Sequence, residues 1–176
     1  EYPAAFQLVA AMNPCPCGYQ GDPTAECRCT PEQIARYQGR ISGPLLDRID
    51  LFMEVPRLTA AELRGSEGGE PSNAVRARVV ATRERQLNRD GKPAAALSPT
   101  ELDTSCAVDE NGSRLLEQAL ERLGLSARAY HRCLRVARTI ADLAASETIQ
   151  TAHLAEAIGY RHRLGPTRSS AGARHA

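Results

Sequence analysis

Four of the six cysteines lie close together in the sequence, as two pairs of the form Cys-x-Cys. Cys15 and Cys17 form the first pair and Cys27 and Cys29 the second, with nine residues between the pairs. Four thiolates at this density can surround Zn²⁺ tetrahedrally, with metal–sulfur distances of about 2.3 Å. Such a site would be structural, because protein ligands fill all four positions and leave none open for a substrate.

Two other interpretations of the cysteine cluster stay open. Two disulfide bonds would suit an exported protein, but the sequence has no recognisable leader, and the cytosol keeps thiols reduced. Four unpaired cysteines in a bare loop are the second alternative, although free cysteine is usually buried. Of the two remaining cysteines, Cys133 lies on the apolar face of a predicted helix, where we expect a small core residue, and Cys106 stands apart.

A second chemistry that basic residues can perform is the binding of phosphate. Lys92 is the single lysine among 22 basic residues. A phosphate-binding loop needs G-x-x-x-x-G-K-[ST], because backbone amides and a lysine contact the phosphates together. Pro93 follows Lys92 where Ser or Thr is required, and Gln86 occupies the position of the first Gly. The sequence therefore contains no such loop, and we expect any phosphate-binding half to lie outside it.

Composition argues against several classes of partner. The net charge is +1, and the five Tyr and two Phe do not alternate with Arg, so no stacking platform for single-stranded nucleic acid is indicated. A run of about eighteen apolar residues, which a membrane span requires, does not occur. We therefore expect a cytoplasmic protein with no membrane partner. The sequence begins at Glu1 without Met, which is expected of a piece of a longer protein.

The first 56 residues have the pattern of an α/β fragment. Residues 6–12 are an apolar run that predicts a buried strand, and residues 51–55 predict a second one that Pro56 closes. Between them, Thr30 and Gln33 form a capping box that predicts a helix to about residue 40, and residues 44–48 predict a further helical turn. Two strands cannot make a stable sheet alone, so we expect the other strands of a parallel sheet to lie upstream.

The rest of the chain has the pattern of a linker followed by a helical domain. Residues 57–72 contain Gly, Pro and charges typical of a linker, and residues 73–163 predict a bundle of about four helices. We expect these helices at residues 73–88, from the cap Asp109 to Gly124, from the cap Ser126 to about residue 145, and from the cap Thr151 to about residue 163. Residues 90–108 show little periodicity, and residues 164–176 are expected to be a disordered tail.

Three stretches carry a resemblance to a known family. Residues 6–18, FQLVAAMNPCPCG, and residues 40–51, RISGPLLDRIDL, resemble the AAA+ ATPases related to the magnesium-chelatase ATPase subunit, and most closely the ComM/YifB branch. Residues 125–142, LSARAYHRCLRVARTIAD, are similar to the C-terminal lid of that branch. The resemblance covers roughly residues 3–163. It implies the C-terminal part of a AAA+ P-loop NTPase core with a parallel sheet, at residues 1–56, followed by an all-α lid.

The resemblance implies nucleotide-related roles for three residues. Asn13 matches sensor 1, a polar side chain that orients the attacking water near the γ-phosphate. Arg48 matches the arginine finger, which reaches the nucleotide of a neighbouring subunit and can accelerate hydrolysis about 10³–10⁵-fold. Arg128 matches sensor 2, the lid arginine that reaches the nucleotide.

Each of these residues also has an ordinary structural interpretation that the sequence leaves open. Asn13-Pro14 is a common turn opener. Arg48 could form a surface ion pair with Asp47 or Asp50, which would contribute about 0–1 kcal/mol. Arg128 shares a helix face with two further arginines, at positions 132 and 135, and such a face is often simply solvated. Val108-Asp109-Glu110 resembles the end of a Walker B strand, but we interpret it as a helix cap because the preceding run is short and polar.

As a whole, the resemblance implies ATP with Mg²⁺ as cofactor, and a ring of identical subunits with a hexamer as the expected size. It also implies DNA remodelling during natural transformation, with DNA as a partner. These residues alone are expected to be inactive, because both the P-loop and the Walker B acidic pair are absent from them. A metal-chelatase ATPase subunit is the narrower alternative. A zinc-stabilised binding module without catalysis is the alternative from another class.

Overall fold

A computed structural model of the chain describes residues 6–58, 60–65, 69–124 and 126–161. The described residues form two compact units, residues 6–42 and residues 43–161. The predicted disordered tail, residues 164–176, lies outside the described residues. Within them no helix is long and apolar enough to cross a membrane.

The first unit contains the cysteine loop and one helix, α1 (Pro31–Gln38), which begins as the sequence predicts. The Thr30 hydroxyl accepts from the backbone N–H of Gln33 at 3.3 Å, and the Gln33 side chain accepts from the backbone N–H of Thr30 at 2.9 Å. Pro31 occupies the first helical position, where no hydrogen-bond donor is needed. The capping box is therefore confirmed, and α1 ends at Gln38, two residues earlier than predicted.

The two predicted strands are wrong for the described residues. Neither residues 6–12 nor residues 51–55 form a strand, and most of their apolar side chains are exposed. Phe6 and Val9 are 77% and 85% exposed, and Met53 and Val55 are 71% and 87% exposed. A strand is held by the hydrogen bonds of a neighbouring strand, and the described part of the chain supplies no such neighbour. The apolar runs indicate segments that are suited to burial, but the described residues do not form the predicted parallel sheet.

In the described residues of the second unit, all regular elements are helices, joined by irregular segments. Its elements in chain order are α2 (Gly43–Leu46), α3 (Ala60–Arg64), α4 (Ser72–Asp90), a 3₁₀ turn (Ala94–Ala96), α5 (Pro99–Ser105), α6 (Glu110–Leu123), α7 (Ala127–Leu143) and α8 (Thr151–Gly159). The helical turn predicted at 44–48 is confirmed as α2, and α3 lies within the segment predicted as a linker.

The caps predicted for α6 and α7 are confirmed. Asp109 accepts from the backbone N–H of Gly112 at 2.7 Å, and Ser126 accepts from the backbone N–H of Ala129 at 3.3 Å. Gly124 follows the end of α6 with φ +59°, a left-handed conformation that favours glycine. The cap of α8 is predicted one residue too late, because Gln150 precedes the helix and its backbone N–H donates to the His153 ring at 3.1 Å. That helix also ends at Gly159, earlier than predicted.

Helix α5 lies in the segment that we expected to have little periodic structure. Its start has a capping box like that of α1: Ser98 accepts from the backbone N–H of Glu101, and the Glu101 carboxylate accepts from the backbone N–H of Ser98 at 2.8 Å. Pro99 again occupies the first helical position. The pattern Ser-Pro-Thr-Glu is therefore a local signal for this helix that does not depend on apolar periodicity.

The core of the second unit lies between the 3₁₀ turn and helices α5 to α8. Leu102, Leu116, Cys133, Ala137 and Leu154 are all buried there, which confirms the expected core position of Cys133. Gly112 permits the close approach of α6 to α8, since a Cβ at this position would lie 2.7 Å from Leu154 Cδ1.

A buried charge network, which the sequence analysis did not predict, joins α4 to α7. Asp142 is fully buried and accepts from Arg89 at 2.5 and 3.1 Å and from Arg138 at 2.9 Å. Arg138 is also buried and donates to the carbonyl oxygens of Ser146 and Glu147, so it fixes the turn after α7. A buried carboxylate is tolerated because it is paired and hydrogen-bonded on both oxygens.

Candidate functional site

The four clustered cysteines converge in the structure. All four Sγ atoms lie within 4.8 Å of one another. The Sγ–Sγ distances are 3.4 Å for Cys15–Cys17, 3.7 Å for Cys15–Cys27 and 3.6 Å for Cys17–Cys27. Four sulfurs held tetrahedrally at about 2.3 Å from a zinc ion would be about 3.8 Å apart. The sulfur arrangement therefore fits Zn²⁺ in both donor type and spacing.

The same distances exclude the disulfide interpretation for this structure. A disulfide brings two sulfurs to about 2.05 Å, and all four thiols are free here. Cys15 is fully buried, whereas the other three are half-buried, so the cluster lies just under the surface.

Tight turns and one helix position the cysteine loop. The backbone N–H of Gly18 donates to the Cys15 carbonyl at 3.0 Å, and Gly18 and Gly21 have φ values of +84° and +80°. These left-handed conformations favour glycine and turn the chain back between the two cysteine pairs. Gln38 on α1 donates to the Pro14 carbonyl at 3.0 Å. This hydrogen bond holds the first cysteine pair against α1, the helix that follows the second cysteine pair.

Hydrogen bonds and crowding give the thiols different acidities. The backbone N–H groups of Tyr19 and Arg28 donate to the Cys17 sulfur and lower the pKa of this thiol to about 6. At Cys29, loss of solvent and the neighbouring thiols raise the pKa to about 12. Four crowded thiols cannot all ionise unless a cation compensates their charge, and a divalent cation bound by the four sulfurs would supply that compensation.

Asn13 lies directly before the cysteine loop, and its side chain is exposed. Its Cγ and Nδ2 atoms are 3.7 Å from the position that a Cβ on Gly18 would occupy. The amide therefore lies next to the Gly18 turn of the cysteine loop.

Arg48 follows α2 and is exposed. Its Nη1 donates to the Pro44 carbonyl at 3.0 Å, one helical turn earlier. Asp50, one of the two carboxylates that could have held Arg48, pairs instead with Arg132. The guanidinium is thus available at the surface of the second unit.

Arg128 is likewise exposed, near the start of α7. The two arginines that share its helix face are engaged within the unit. Arg132 pairs with Asp50, and Arg135 donates to the Leu97 carbonyl at 2.7 Å. Of the three arginines on this face, Arg128 is therefore the one that remains exposed.

The motif candidates for a phosphate site have structural roles instead. Lys92 pairs with Glu101 at 2.7 Å between α4 and α5. Asp109 caps α6 and so does not act as a Walker B carboxylate. Neither of these two candidates therefore marks a phosphate cradle within the described part of the chain.

Sequence reasoning missed the contacts of the segment that follows Arg48. Arg161, which is 1% exposed, donates to the Ile49 carbonyl and lies 5.8 Å from the ring centroid of Phe52. The backbone N–H of Phe52 donates to the Tyr160 carbonyl at 2.8 Å. Two adjacent residues after α8 therefore hold this segment, and no periodic pattern in the sequence marks them.

Comparison with known proteins identifies relatives of both parts of the chain. The family model described as "Magnesium chelatase, subunit ChlI C-terminal" matches residues 69–161, and the model described as "Magnesium chelatase, subunit ChlI" matches residues 1–63. The competence protein ComM of Haemophilus influenzae is 50% identical over 163 residues, which are 92% of this chain and 31% of that protein.

Two further relatives show a similar extent of match. The uncharacterized protein YifB of Escherichia coli is 49% identical over 162 residues, which are 91% of this chain and 31% of that protein. An uncharacterized protein of Mycobacterium tuberculosis is 38% identical over 164 residues, which are 91% of this chain and 32% of that protein. The chain thus spans about a third of the length of the curated relatives it matches.

Proposed function

Because this chain belongs to the magnesium-chelatase family of AAA+ ATPases, in the branch that contains ComM and YifB, we propose that it is the C-terminal part of a ring-forming ATPase. In this proposal the P-loop and the Walker B residues come from outside these residues. The chain contributes the side chains that complete a nucleotide site. We further propose the division into a core part at 1–56, a linker at 57–72 and a lid at 73–163.

The observation that carries this proposal is that the two arginines that match the finger and sensor 2 of the family, Arg48 and Arg128, are both exposed. Arg132, Arg135, Arg138 and Arg161 are engaged by carboxylates, carbonyl oxygens or an aromatic ring of the same unit. Arg48 donates through one nitrogen to the Pro44 carbonyl of its own turn but stays exposed, and Arg128 is exposed as well. An exposed guanidinium is suited to a partner outside its own fold, such as the phosphates at a subunit interface.

Each side chain has a distinct task in the proposed mechanism. ATP with Mg²⁺, when bound, would supply the phosphoryl group that is transferred and a positive charge that stabilises it. Arg48 enters the site of the adjacent subunit and stabilises the charge that develops on the transferred phosphoryl group. Arg128 holds the nucleotide from the lid, and Asn13 orients the attacking water. The fit is partial, since these residues provide no phosphate cradle.

We also propose a structural zinc ion held by Cys15, Cys17, Cys27 and Cys29. The distances between the four sulfur atoms support this zinc site. The small number of buried apolar side chains in the first unit supports it as well. Among its described residues, only Cys15 is both apolar and buried, and α1 has no buried residue. A fold of fewer than about 40 residues usually needs a metal, a disulfide or a partner to be stable. The zinc ion would fix the loop that carries Asn13.

The biological setting that we propose follows from the relatives. The name of the Haemophilus influenzae protein refers to competence, and we propose that this chain belongs to a hexameric motor that remodels DNA during natural transformation. A cytoplasmic location suits four reduced thiols. A metal-chelatase ATPase subunit is the alternative within the family, and a zinc-stabilised binding module without catalysis is the alternative outside it.

The test is ATP hydrolysis by the full-length protein and its Arg48→Ala variant. We expect the substitution to lower kcat by about 10³-fold or more. Nucleotide binding should be retained, because the finger acts on the neighbouring subunit. Arg83→Ala, an exposed arginine on α4, is the matched control and should be as active as the unmodified protein. The 176 residues alone should show no turnover. Full activity of Arg48→Ala would refute the assignment, and a full-length protein without hydrolysis would favour the binding module.

A further inference from the structure

Residues 49–52, which directly follow Arg48, are fixed on both flanks. On the N-terminal side, the backbone N–H of Arg48 donates to the Leu45 carbonyl at 2.9 Å, and that of Ile49 donates to the Leu46 carbonyl at 3.2 Å. On the C-terminal side, this segment is held by residues of α7 and of the turn after α8. We refer to these C-terminal contacts as the finger clamp.

The finger clamp consists of three connections between distant parts of the sequence. Arg132 on α7 pairs with Asp50. Arg161 donates to the Ile49 carbonyl and lies over the Phe52 ring. The backbone N–H of Phe52 donates to the Tyr160 carbonyl. The clamp therefore combines an ion pair, a cation–π contact and backbone hydrogen bonds within four consecutive residues.

Arg161 is costly to place where it lies. The residue is 1% exposed, and the burial of a guanidinium carries a large desolvation penalty. An apolar side chain would fill a buried position at lower cost. The planar guanidinium, however, can donate to a carbonyl and stack on an aromatic ring at the same time, which an apolar side chain cannot do. Arg161 thus specifies the position of the segment more than it adds to the stability of the core.

We infer that Arg161, Arg132 and Asp50 are positioning residues for Arg48, and that they make the finger move together with the lid. This inference rests on the proposed role of Arg48 as arginine finger. Arg132 lies one turn after Arg128 on α7, so the helix that carries the lid arginine also holds the segment that follows the finger. Movement of α7 would therefore be transmitted to Arg48 through the Arg132–Asp50 pair.

Loss of the clamp should affect hydrolysis by changing the position of Arg48. The stabilisation of a phosphoryl-transfer transition state depends on exact placement, and a displacement of about 1 Å can cost about 10²-fold in rate. Loss of the clamp would leave Arg48 present and charged but no longer held. We therefore expect a loss in kcat with little change in the binding of ATP.

The Asp50–Arg132 pair provides the test, because both side chains are partly exposed, at 54% and 26%, and their replacement leaves the core intact. We would compare Arg132→Gln, Asp50→Asn and the charge swap Asp50→Arg/Arg132→Asp in the full-length protein. Arg135→Gln is the matched control, because it removes an arginine contact from the same helix but releases Leu97 instead of the finger segment.

Two readouts separate positioning from general damage. In both single variants kcat should fall about 10- to 100-fold, with the KM for ATP within about twofold of the original, and the charge swap should recover most of the kcat. Hydrogen exchange at the Phe52 amide should accelerate in the single variants and slow again in the swap. Arg135→Gln should change neither readout.

The outcomes distinguish this inference from the function on which it rests. Faster exchange at Phe52 with an unchanged kcat would overturn the positioning role and leave Arg48 as the finger. Equal losses of kcat in Arg132→Gln and Arg135→Gln would also overturn it, because the effect would then belong to the lid in general. Unchanged exchange at Phe52 would mean that the clamp does not hold the segment. Full activity of Arg48→Ala would overturn both the inference and the proposed function.

Discussion

Removal of zinc from the cysteine loop tests whether a metal, and not an apolar core, holds the first unit together. The described part of this unit, residues 6–42, has a single buried apolar side chain, that of Cys15. Its other stabilising contacts are the capping box of α1 and hydrogen bonds such as that from Gln38 to the Pro14 carbonyl. A net contribution of about 0.5–1.5 kcal/mol for each hydrogen bond cannot offset the conformational entropy of about 1–2 kcal/mol for each ordered residue.

The magnitude follows from the four ligands. Structural zinc contributes an apparent binding free energy of about 10–16 kcal/mol in small zinc domains at pH 7. If the four thiolates share this free energy equally, the loss of one costs about 2.5–4 kcal/mol, which raises the Kd for zinc about 60- to 700-fold. Cys15→Ser removes the most buried ligand, and Cys133→Ser is the matched control, because Cys133 is buried but lies in the helical core of the second unit.

The assay combines metal analysis with limited trypsin digestion of the full-length protein. We expect about one zinc ion per chain, and a strong chelator should remove it. Cleavage after Arg28 and Arg36 should then become fast, while α6, α7 and α8 remain resistant because their core does not depend on the metal. Zinc should restore the protection in the original protein and in Cys133→Ser, but only at much higher concentration in Cys15→Ser.

One result would refute this reasoning directly. If metal analysis showed no zinc and Arg28 and Arg36 were still protected, the first unit would have to be held by contacts other than metal ligation. The four thiols would then be the bare loop of the alternative interpretation.

Two further predictions concern the second unit. Asp142→Ala should destabilise this unit by about 3–5 kcal/mol, because the buried guanidinium of Arg138 loses its carboxylate. With an unfolding entropy of about 2.1 cal/mol/K for each residue of the second unit, this loss lowers the Tm by about 12–20 °C. The control Asp103→Ala, at an exposed position on α5, should leave the Tm unchanged. The second concerns Glu101, whose pKa is lowered to about 2 by hydrogen bonds from Lys92 and from Ser98. Because the folded pKa lies below the unfolded one, this stabilisation is present above about pH 4.5 and is lost as the pH falls toward 2. The difference in Tm between the original protein and Glu101→Gln should therefore shrink over that range, and a constant difference would contradict this.

The helices could be predicted where local chemistry specifies them. Thr30 and Gln33 predicted the start of α1, and Asp109 and Ser126 predicted those of α6 and α7, because a cap satisfies backbone N–H groups within three residues of itself. Helix α5 was not predicted although Ser98 carries the same kind of signal, because this seven-residue helix is too short to show a helical period of apolar residues.

The strands could not be predicted correctly from residues 6–12 and 51–55, and the reason is physical. An apolar run shows that a segment needs to be buried, whereas a strand also needs a neighbour with which to exchange hydrogen bonds. The convergence of the four thiols could be anticipated from their spacing, because the loop between the pairs is short. The finger clamp could not be anticipated from the sequence, because Arg161 lies more than a hundred residues after Ile49 and only the tertiary fold brings them together.

The almost complete absence of lysine is consistent with what the basic side chains do in this chain. Arg89 contacts both oxygens of Asp142, Arg135 donates to the Leu97 carbonyl through two nitrogens, and Arg161 donates to a carbonyl while it covers a ring. Each of these contacts uses the planar fork of a guanidinium, which an ammonium group cannot reproduce. These arginines of the second unit therefore form a framework with fixed directions. Arg48 lies directly next to a segment that this framework holds, so side chains that are distant in the sequence can set its direction.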